Sequence, residues 1–296
     1  MRYFVRMVEL GSLSSVAREF GTTQPTVSKV LALLEAQLGV RLFERSTKGL
    51  AQTAQGQRFY REAGAVLEHF DAAVGEVQGL SGQATGLLRI NAPVALGQYR
   101  INALVQEFMR LHPAIDIELT LDDRFANLVE DGVDLALRLG AALPPDVVAR
   151  HLAEVPRFFV ASGDYLARSG TPERPAELAQ HEFVRFAWPS GDMVDLYRGA
   201  ERVRVAARCR YRVNNALAIR EAVSLGGGIG LCPEWLVHDL LASGELVRVL
   251  PEWSAQTQHL HVLYPSRRYQ PLRAKLFIEF VAGRFAELPG FVAPQR

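Results

Sequence analysis

The sequence predicts an N-terminal all-α winged helix-turn-helix with a long linker helix, followed by an α/β region of two subdomains. Three observations predict it. Two apolar stripes at helical spacing, Leu13/Val16/Ala17/Phe20 and Val27/Leu31/Leu34/Leu38, meet across Gly21. Phe59, Ala63, Val66, Phe70, Ala73, Val77 and Leu80 then step alternately by four and three, an a/d seam. From Leu87 onward short apolar strands alternate with amphipathic helices, which implies a mostly parallel sheet covered on its faces. At 296 residues the chain is too long for one ordinary core and suits two or three units.

In chain order, residues 12–20 form a short helix with Ser12 as N-cap, ended by Gly21. Met1 sits close to this motif, so the first helix reads as short at its N-terminus. The second helix is capped by Thr22 or Thr23 and carries Pro25 in its first turn, where a missing N–H costs nothing. Two helices joined by so short a glycine-containing turn form a helix-turn-helix. Thr23, Gln24, Thr26, Ser28 and Lys29 avoid the apolar stripe and project from the opening turns of the second helix, with Pro25 among them. That end of the helix enters the major groove in such motifs. Glutamine pairs bidentately with adenine, threonine offers a hydroxyl and a methyl, and serine, lysine and the helix N-terminus suit phosphate. The same residues also suit a capped helix with an ordinary solvated face. Residues 39–56 follow as a short two-stranded wing, with Leu42 and Phe43 as anchors, Arg41, Arg45 and Lys48 as cations, and Gly49 as the turn residue.

The seam from Phe59 to Leu80 predicts a helix of roughly 40 Å that buries itself against a partner helix or lies on its own chain's core. Gly64, Gly75 and Gly79 weaken it as an isolated helix, and a Gly/Ser-rich stretch, residues 78–86, marks a hinge. Beyond it, LLRINAP, IDIELTL and VDLALRLG read as strands, with a helix through Ile101, Leu104, Val105, Phe108 and Leu111 and another over residues 125–131. FVRF, a strand through Arg212, a helix over residues 216–225, GIGLCP and LHVLYPS repeat the style. A last helix through Leu272, Leu276, Phe280 and Val281 is expected to pack back on the first subdomain.

The net charge of +1 hides a gradient. Residues 1–62 carry nine Lys or Arg against five Asp or Glu, and residues 63–86 carry three acids alone, a pattern that suits a polyanion-binding end or an ordinary solvated surface. No apolar run approaches the ~20 residues that span a bilayer, and the N-terminus does not read as a signal peptide, so a cytoplasmic protein without membrane partners is expected. Cys209 and Cys232 are too few and isolated for a disulfide framework and are expected as reduced, buried thiols.

The run GSLSSVAREFGTTQPTVSKVLALLEAQLGVRLFERSTKGLAQTAQG closely resembles the winged helix-turn-helix of LysR-type transcriptional regulators. It departs from the family pattern at Thr23, where serine is usual, and at Gln55, where alanine precedes the glycine. LRINAPVALG, LVEDGVDLALRLG, VNNALAIREAVSLGGGIGLCPEWL and the YPSRR segment resemble the family's effector-binding half, which has the fold of periplasmic solute-binding proteins. The resemblance implies a winged helix-turn-helix at 1–56, a dimerisation helix at 57–80, a hinge at 81–86 and an effector-binding domain at 87–296. Subdomain I is expected over about 87–161 and 265–296, and subdomain II over about 162–264. It also implies homo-oligomers, dimer or tetramer, on an interrupted palindrome of double-stranded DNA, controlled by a small molecule, with no cofactor.

Ligands of open α/β sheets sit beyond the C-terminal ends of strands. That places Pro93, Val94 and Ala95 after the first strand, Leu121 and Asp122 after the second, and Arg138 on the third. Phe186 and Trp188 follow the fourth, and Asn214 and Asn215 precede the next helix. Many members of the family carry a hydroxyl near the position of Ala95 that holds a carboxylate, so its absence speaks against an acidic effector. Arg138 suits an anion bidentately or a salt bridge to Asp122, Asp123 or Asp134.

Enzyme signatures are absent from the sequence. GGGIGLCP is not a dinucleotide fingerprint, because Leu231 and Pro233 replace its glycines, and neither G-x-S-x-G nor H-E-x-x-H occurs. His259 and His261 share a strand face without a clear third ligand and read as ordinary strand residues rather than a metal site. Two rival readings stand beside the regulator: a redox sensor through Cys209 and Cys232, and a solute-binding protein without DNA function.

Overall fold

The computed structural model describes residues 1–46, 49–77, 84–124, 128, 131–140, 147–187, 192–265 and 270–294. These fall into two compact units, 1–83 and 84–296.

The first unit opens with a helix the sequence reading did not separate, α1 (Arg2–Leu10). Its Phe4 and Met7 are fully buried, and Gly11, at φ 62°, closes it in the left-handed region. Helix α2 (Leu13–Glu19) is capped by Ser12, whose side chain accepts from Ser15 N. It ends where Thr22 N donates to Ala17 O and Gly21 N to Arg18 O, a reversal that needs the positive φ of Gly21. Arg6 of α1 pairs bidentately with Glu19 of α2 at 2.7 and 2.8 Å, and that hydrogen bonding holds the Glu19 carboxyl below its ordinary range. Helix α3 (Gln24–Leu38) is capped by Thr23 and buries Val27 and Leu31, whereas Leu38 at the end of the expected stripe is exposed.

The wing is β1 (Phe43–Ser46) antiparallel to β2 (Gly49–Gln52), and Gly49 pairs with Ser46 as the first residue of β2 rather than occupying the turn. Helix α4 (Ala54–Val77) spans 24 residues, roughly 36 Å. Its first turns belong to this unit's own core. Ala63 is 1% exposed and Phe59 packs on the Phe4 ring at 5.2 Å, so these two positions of the expected partner seam are corrected to intrachain packing. The cause is α1, which covers that face of α4. Val66 and Phe70 remain 47% and 59% exposed, while the side chains of Ala73 and Val77 lie outside the described residues.

The second unit holds two five-stranded sheets. Its chain order is β3 (Gly86–Ala92), α5 (Val94–Leu96), a π turn at Gly97–Ile101, α6 (Asn102–Leu111), β4 (Ile115–Leu121), β5 (Leu135–Leu139) and β6 (Val147–Val155). There follow β7 (Arg157–Ser162), α7 (Gly163–Ser169), β8 (Phe183–Phe186), the hairpin β9 (Met193–Arg198) and β10 (Glu201–Ala206), and β11 (Cys209–Val213). The chain ends with α8 (Ala216–Ser224), β12 (Ile229–Pro233), α9 (Glu234–Ser243), β13 (Leu246–Val249), β14 (Gln258–Pro265) and α10 (Leu272–Phe285). The first sheet runs β4-β3-β5-β14-β6 and the second β11-β8-β12-β7-β13. In the first, β14 lies antiparallel to β5 and β6; in the second, β7 lies antiparallel to β12 and β13. Both sheets are therefore mixed, because each receives one strand from a chain crossing between them.

The crossings also move the expected subdomain limits. Strand β7 belongs to the second sheet, so that subdomain begins near 157 rather than 162, and β14 lies wholly in the first sheet, so the return precedes 258. Gly86 already belongs to β3, and residues 78–83 of the hinge lie outside the described residues. Most of the helix expected over 125–131 lies outside them as well. Helix α10 packs on β3, β6 and α6 of the first sheet as expected, burying Phe277, Ile278, Val281 and Phe285. Burial of those four side chains contributes about 1.5–3 kcal/mol each relative to exposure.

Candidate functional site

On the first unit, Thr23, Gln24, Pro25, Thr26 and Lys29 are exposed on the opening turns of α3, and Ser28 is half-buried. The Thr23 Oγ1 accepts from Thr26 N at 3.4 Å and lies 2.9 Å from the Thr26 hydroxyl. Ser14 Oγ, on α2, donates to Gln24 Oε1 at 3.3 Å, which orients that carboxamide with its NH2 outward. A row of hydroxyls, an amide and an ammonium therefore stands free of the Val27/Leu31 core face, with donors and acceptors of the kind that read base edges.

The wing is placed by residues that sequence reasoning noticed only as motif letters. Glu35 Oε1 of α3 accepts from Leu42 N at 2.7 Å and Phe43 N at 3.2 Å, fixing where β1 leaves α3. Thr53 Oγ1 donates to Arg41 O at 2.7 Å and accepts from Gly56 N at 2.9 Å, capping α4. A Cβ on Gly56 would sit 2.1 Å from Leu42 O, so only glycine lets α4 pass so close under the wing. The side chain of Arg45 and all of Lys48 lie outside the described residues.

In the second unit the ends of β3, β4 and β5 converge. Asp122 N donates to Ala92 O at 2.9 Å, Val94 N to Asp123 Oδ1 at 3.1 Å, and Arg124 N to Asp122 Oδ1 at 2.9 Å. Arg138, 4% exposed, donates to Asn91 Oδ1, to Arg124 O at 2.9 Å and to Leu137 O at 2.8 Å. Burial lowers the Arg138 pKa, against the fields of Asp122 and Asp123 that raise it. Burial likewise raises the Asp123 carboxyl, which the Val94 N–H partly offsets. Asp134 is taken up by Arg89 N at 3.0 Å and by Arg273 at 4.0 Å.

Pro93, Val94, Leu121, Asp122 and Arg138 are thus brought together. Ala95 is not available: it is 3% exposed and part of the main core, because α5 turns that side inward. Leu121 is 38% exposed and lies over Gly97, whose missing side chain makes room for it. On the second sheet Phe186 is half-buried and Asn214 exposed. Asn215 is the N-cap of α8, its Oδ1 accepting from Leu217 N at 2.9 Å and Ala218 N at 3.1 Å, so its acceptor is committed to the fold. Trp188 lies outside the described residues.

The two subdomains meet where α5 touches α8, where the Arg220 guanidinium lies 5.3 Å from the Tyr99 ring centre, and where Arg100 donates to Trp235 O at 2.9 Å. Sequence reasoning missed Asn91, although a lone amide inside the apolar strand LLRINAP marks it; Asp123 it weighed only as a salt-bridge partner. The two cysteines are unpaired. Cys232 is fully buried, which pushes its thiol up to about 12. Cys209, expected buried, is half-exposed at the edge strand β11. Strand β8 lies between the strands that carry them, a lateral gap of roughly 9–10 Å, beyond the Cα separation a disulfide spans.

Comparison with known proteins covers both units. Residues 1–57 match the model of the bacterial regulatory helix-turn-helix protein, lysR family, and residues 81–286 match the LysR substrate binding domain. The HTH-type transcriptional regulator PtxR of Pseudomonas aeruginosa is 34% identical, over 93% of this chain and 89% of its own. The full-length structure of the Vibrio cholerae virulence activator AphB is similar with a TM-score of 0.60 at 30% identity, covering 95% of this chain and 97% of that one. CrgA, a LysR-type transcriptional regulator from Neisseria meningitidis, gives a TM-score of 0.63 at 28% identity, covering 96% and 97%.

Proposed function

Because the chain belongs to the LysR-type family of transcriptional regulators, we propose that it works as a homo-oligomer that reads an interrupted palindrome in double-stranded DNA. A small molecule held near Arg138 and the ends of β3 and β4 shifts subdomain geometry and so the fit to DNA. The observation that carries this reading is the first turn of α3, where Thr23, Gln24, Thr26 and Lys29 are exposed together above a buried apolar stripe. A solute-binding protein would leave that unit without a purpose.

Oligomerisation is supported by the far half of α4, where Val66 and Phe70 are exposed after Ala63 has turned inward. In the second unit, β4 and β11 are sheet edges, and Leu111, Tyr211 and Leu225 are large exposed apolar residues. No described helix is long and apolar enough to cross a membrane, and a cytoplasmic, non-catalytic role goes with this reading.

Two tests follow. Selection of duplexes from a random pool should give a half-site motif that Gln24→Ala blurs at one position, with about 1–3 kcal/mol of discrimination lost there. Lys29→Ala should weaken every duplex alike and flatten the salt dependence. Equal effects of the two variants would refute this sorting of base and phosphate contacts. Phe70→Asp should lower the mass in solution by half or more, read by light scattering, and an unchanged mass would remove α4 from the interface.

A further inference from the structure

One cluster of titratable side chains stands outside the DNA interface and beside Arg138. Strand β14 carries His259 and His261 on the same face, and register places His151 of β6 opposite His261. His151 was invisible as a neighbour because β6 is an edge strand rich in charge. The rings meet closely: His151 to His259 centroids lie 4.9 Å apart, His151 to His261 5.2 Å, and His259 to His261 6.1 Å. His259 Nδ1 lies 3.3 Å from His151 Nε2, which is itself 3.0 Å from Ala153 O. The Nδ1 of His261 is buried without a hydrogen-bond partner.

Arg138 of β5 is the cross-strand neighbour of His261, and the fields of Asp122 and Asp123 act on that guanidinium. Glu154 of β6 is the cross-strand neighbour of His259 and the nearest counter-charge by register. Arg150 pairs with Val262 on the opposite face, where Leu260, Val262, Ala153 and Val155 join the main core. On the histidine face the neighbouring layer is apolar, Leu128, Ala136 and Leu263. Residues 141–146, which lead into β6, lie outside the described residues.

We propose that His151, His259 and His261 form a proton-responsive element: protonation of this ring cluster as the pH falls adds charge beside Arg138 and loosens the pairing of β6 with β14. These are the strands through which the chain leaves the first sheet toward β7 and returns from β13, so their pairing sets how the two subdomains are joined. Each proton adds a positive charge to a site that already holds a guanidinium and offers Glu154 as partner to one ring. Among the described residues no group of three His, Cys, Asp or Glu is placed to hold a metal ion. Burial and the two neighbouring imidazoles lower the pKa of His261, against a hydrogen bond with the His259 backbone that raises it. A base held below its unfolded pKa binds fewer protons when folded, so its contribution is complete above the unfolded value and is lost as pH falls toward the folded one.

The test uses the full chain without ligand, with imidazole NMR titrations and amide hydrogen exchange corrected for intrinsic pH dependence. His259→Gln and His151→Gln should each move the His261 midpoint upward, while His238→Gln, an exposed position on α9, should not. On acidification from about pH 7.5 to about pH 5.5, the amides of β6 and β14 should lose protection ahead of those of β3. The wild-type thermal midpoint should fall by on the order of 3 °C more than that of His259→Gln over the same interval. A His261 midpoint indifferent to both substitutions, or a uniform loss of protection across the sheet, would overturn the proposal. Should His151→Gln fail to fold, the His259→Gln titration and the wild-type exchange profile decide alone.

Discussion

Gly56→Ala is expected to abolish tight DNA binding while leaving the effector unit folded. A Cβ at this position would meet Leu42 O at 2.1 Å, with Leu42 C at 3.0 Å, so backbone rather than a flexible side chain must move. Leu42 is fully buried and its carbonyl also accepts from Thr53 N at 3.0 Å, so a shift there displaces the start of the wing and the cap of α4 together. Overpacking of this kind costs about 1–3 kcal/mol, and more where backbone must yield. The measurement is affinity for the selected duplex alongside thermal unfolding followed separately for the two units. A loss of at least about tenfold in affinity, with the effector unit's transition unmoved, is the expected result. Wild-type binding would show that the wing's attachment to α4 does not matter to recognition.

Arg138→Met is expected to destabilise the effector unit by about 3–5 kcal/mol, read by chemical denaturation. Methionine fills much of the volume but leaves Asn91 Oδ1, Arg124 O and Leu137 O without this donor and removes the field of the guanidinium from Asp123. The pH dependence has a definite sign. Asp123 already has a raised pKa, so the folded state holds a proton there more tightly than the unfolded chain does. Removing Arg138 raises it further, so the deficit should be largest above the folded pKa and shrink as the pH falls through it. A loss under about 1 kcal/mol, flat with pH, would mean that the guanidinium serves a ligand and not the fold.

The sequence carried the helix-turn-helix well because its signals are local. Ser12 and Thr23 cap helices, Gly21 reverses the chain, and Val27 and Leu31 alternate with polar residues at helical period. Helix α1 follows the same rule, with Phe4 and Met7 at helical spacing before Gly11. What failed was non-local. Whether Ala63 faces a partner or its own chain depends on α1 folding back over α4, which periodicity along α4 does not encode. The crossings at 156 and 250–257 were misplaced for a similar reason: β7 and β14 are apolar strands like their neighbours, and only pairing reveals which sheet each joins. At the proposed effector site, residues at strand ends were picked out by the general rule for open sheets. Their commitments were not, since Asn215 serves as a helix cap and Ala95 as core because of contacts made across sequence.

Sequence recognition depends on α3 reading base edges from a paired molecule, and duplex selection at moderate ionic strength followed by footprinting tests this most directly. The predicted result is a strong preference over random competitor, with two protected half-sites about one helical turn apart or a multiple of it. Equal affinity for every duplex, falling only with salt, would contradict it.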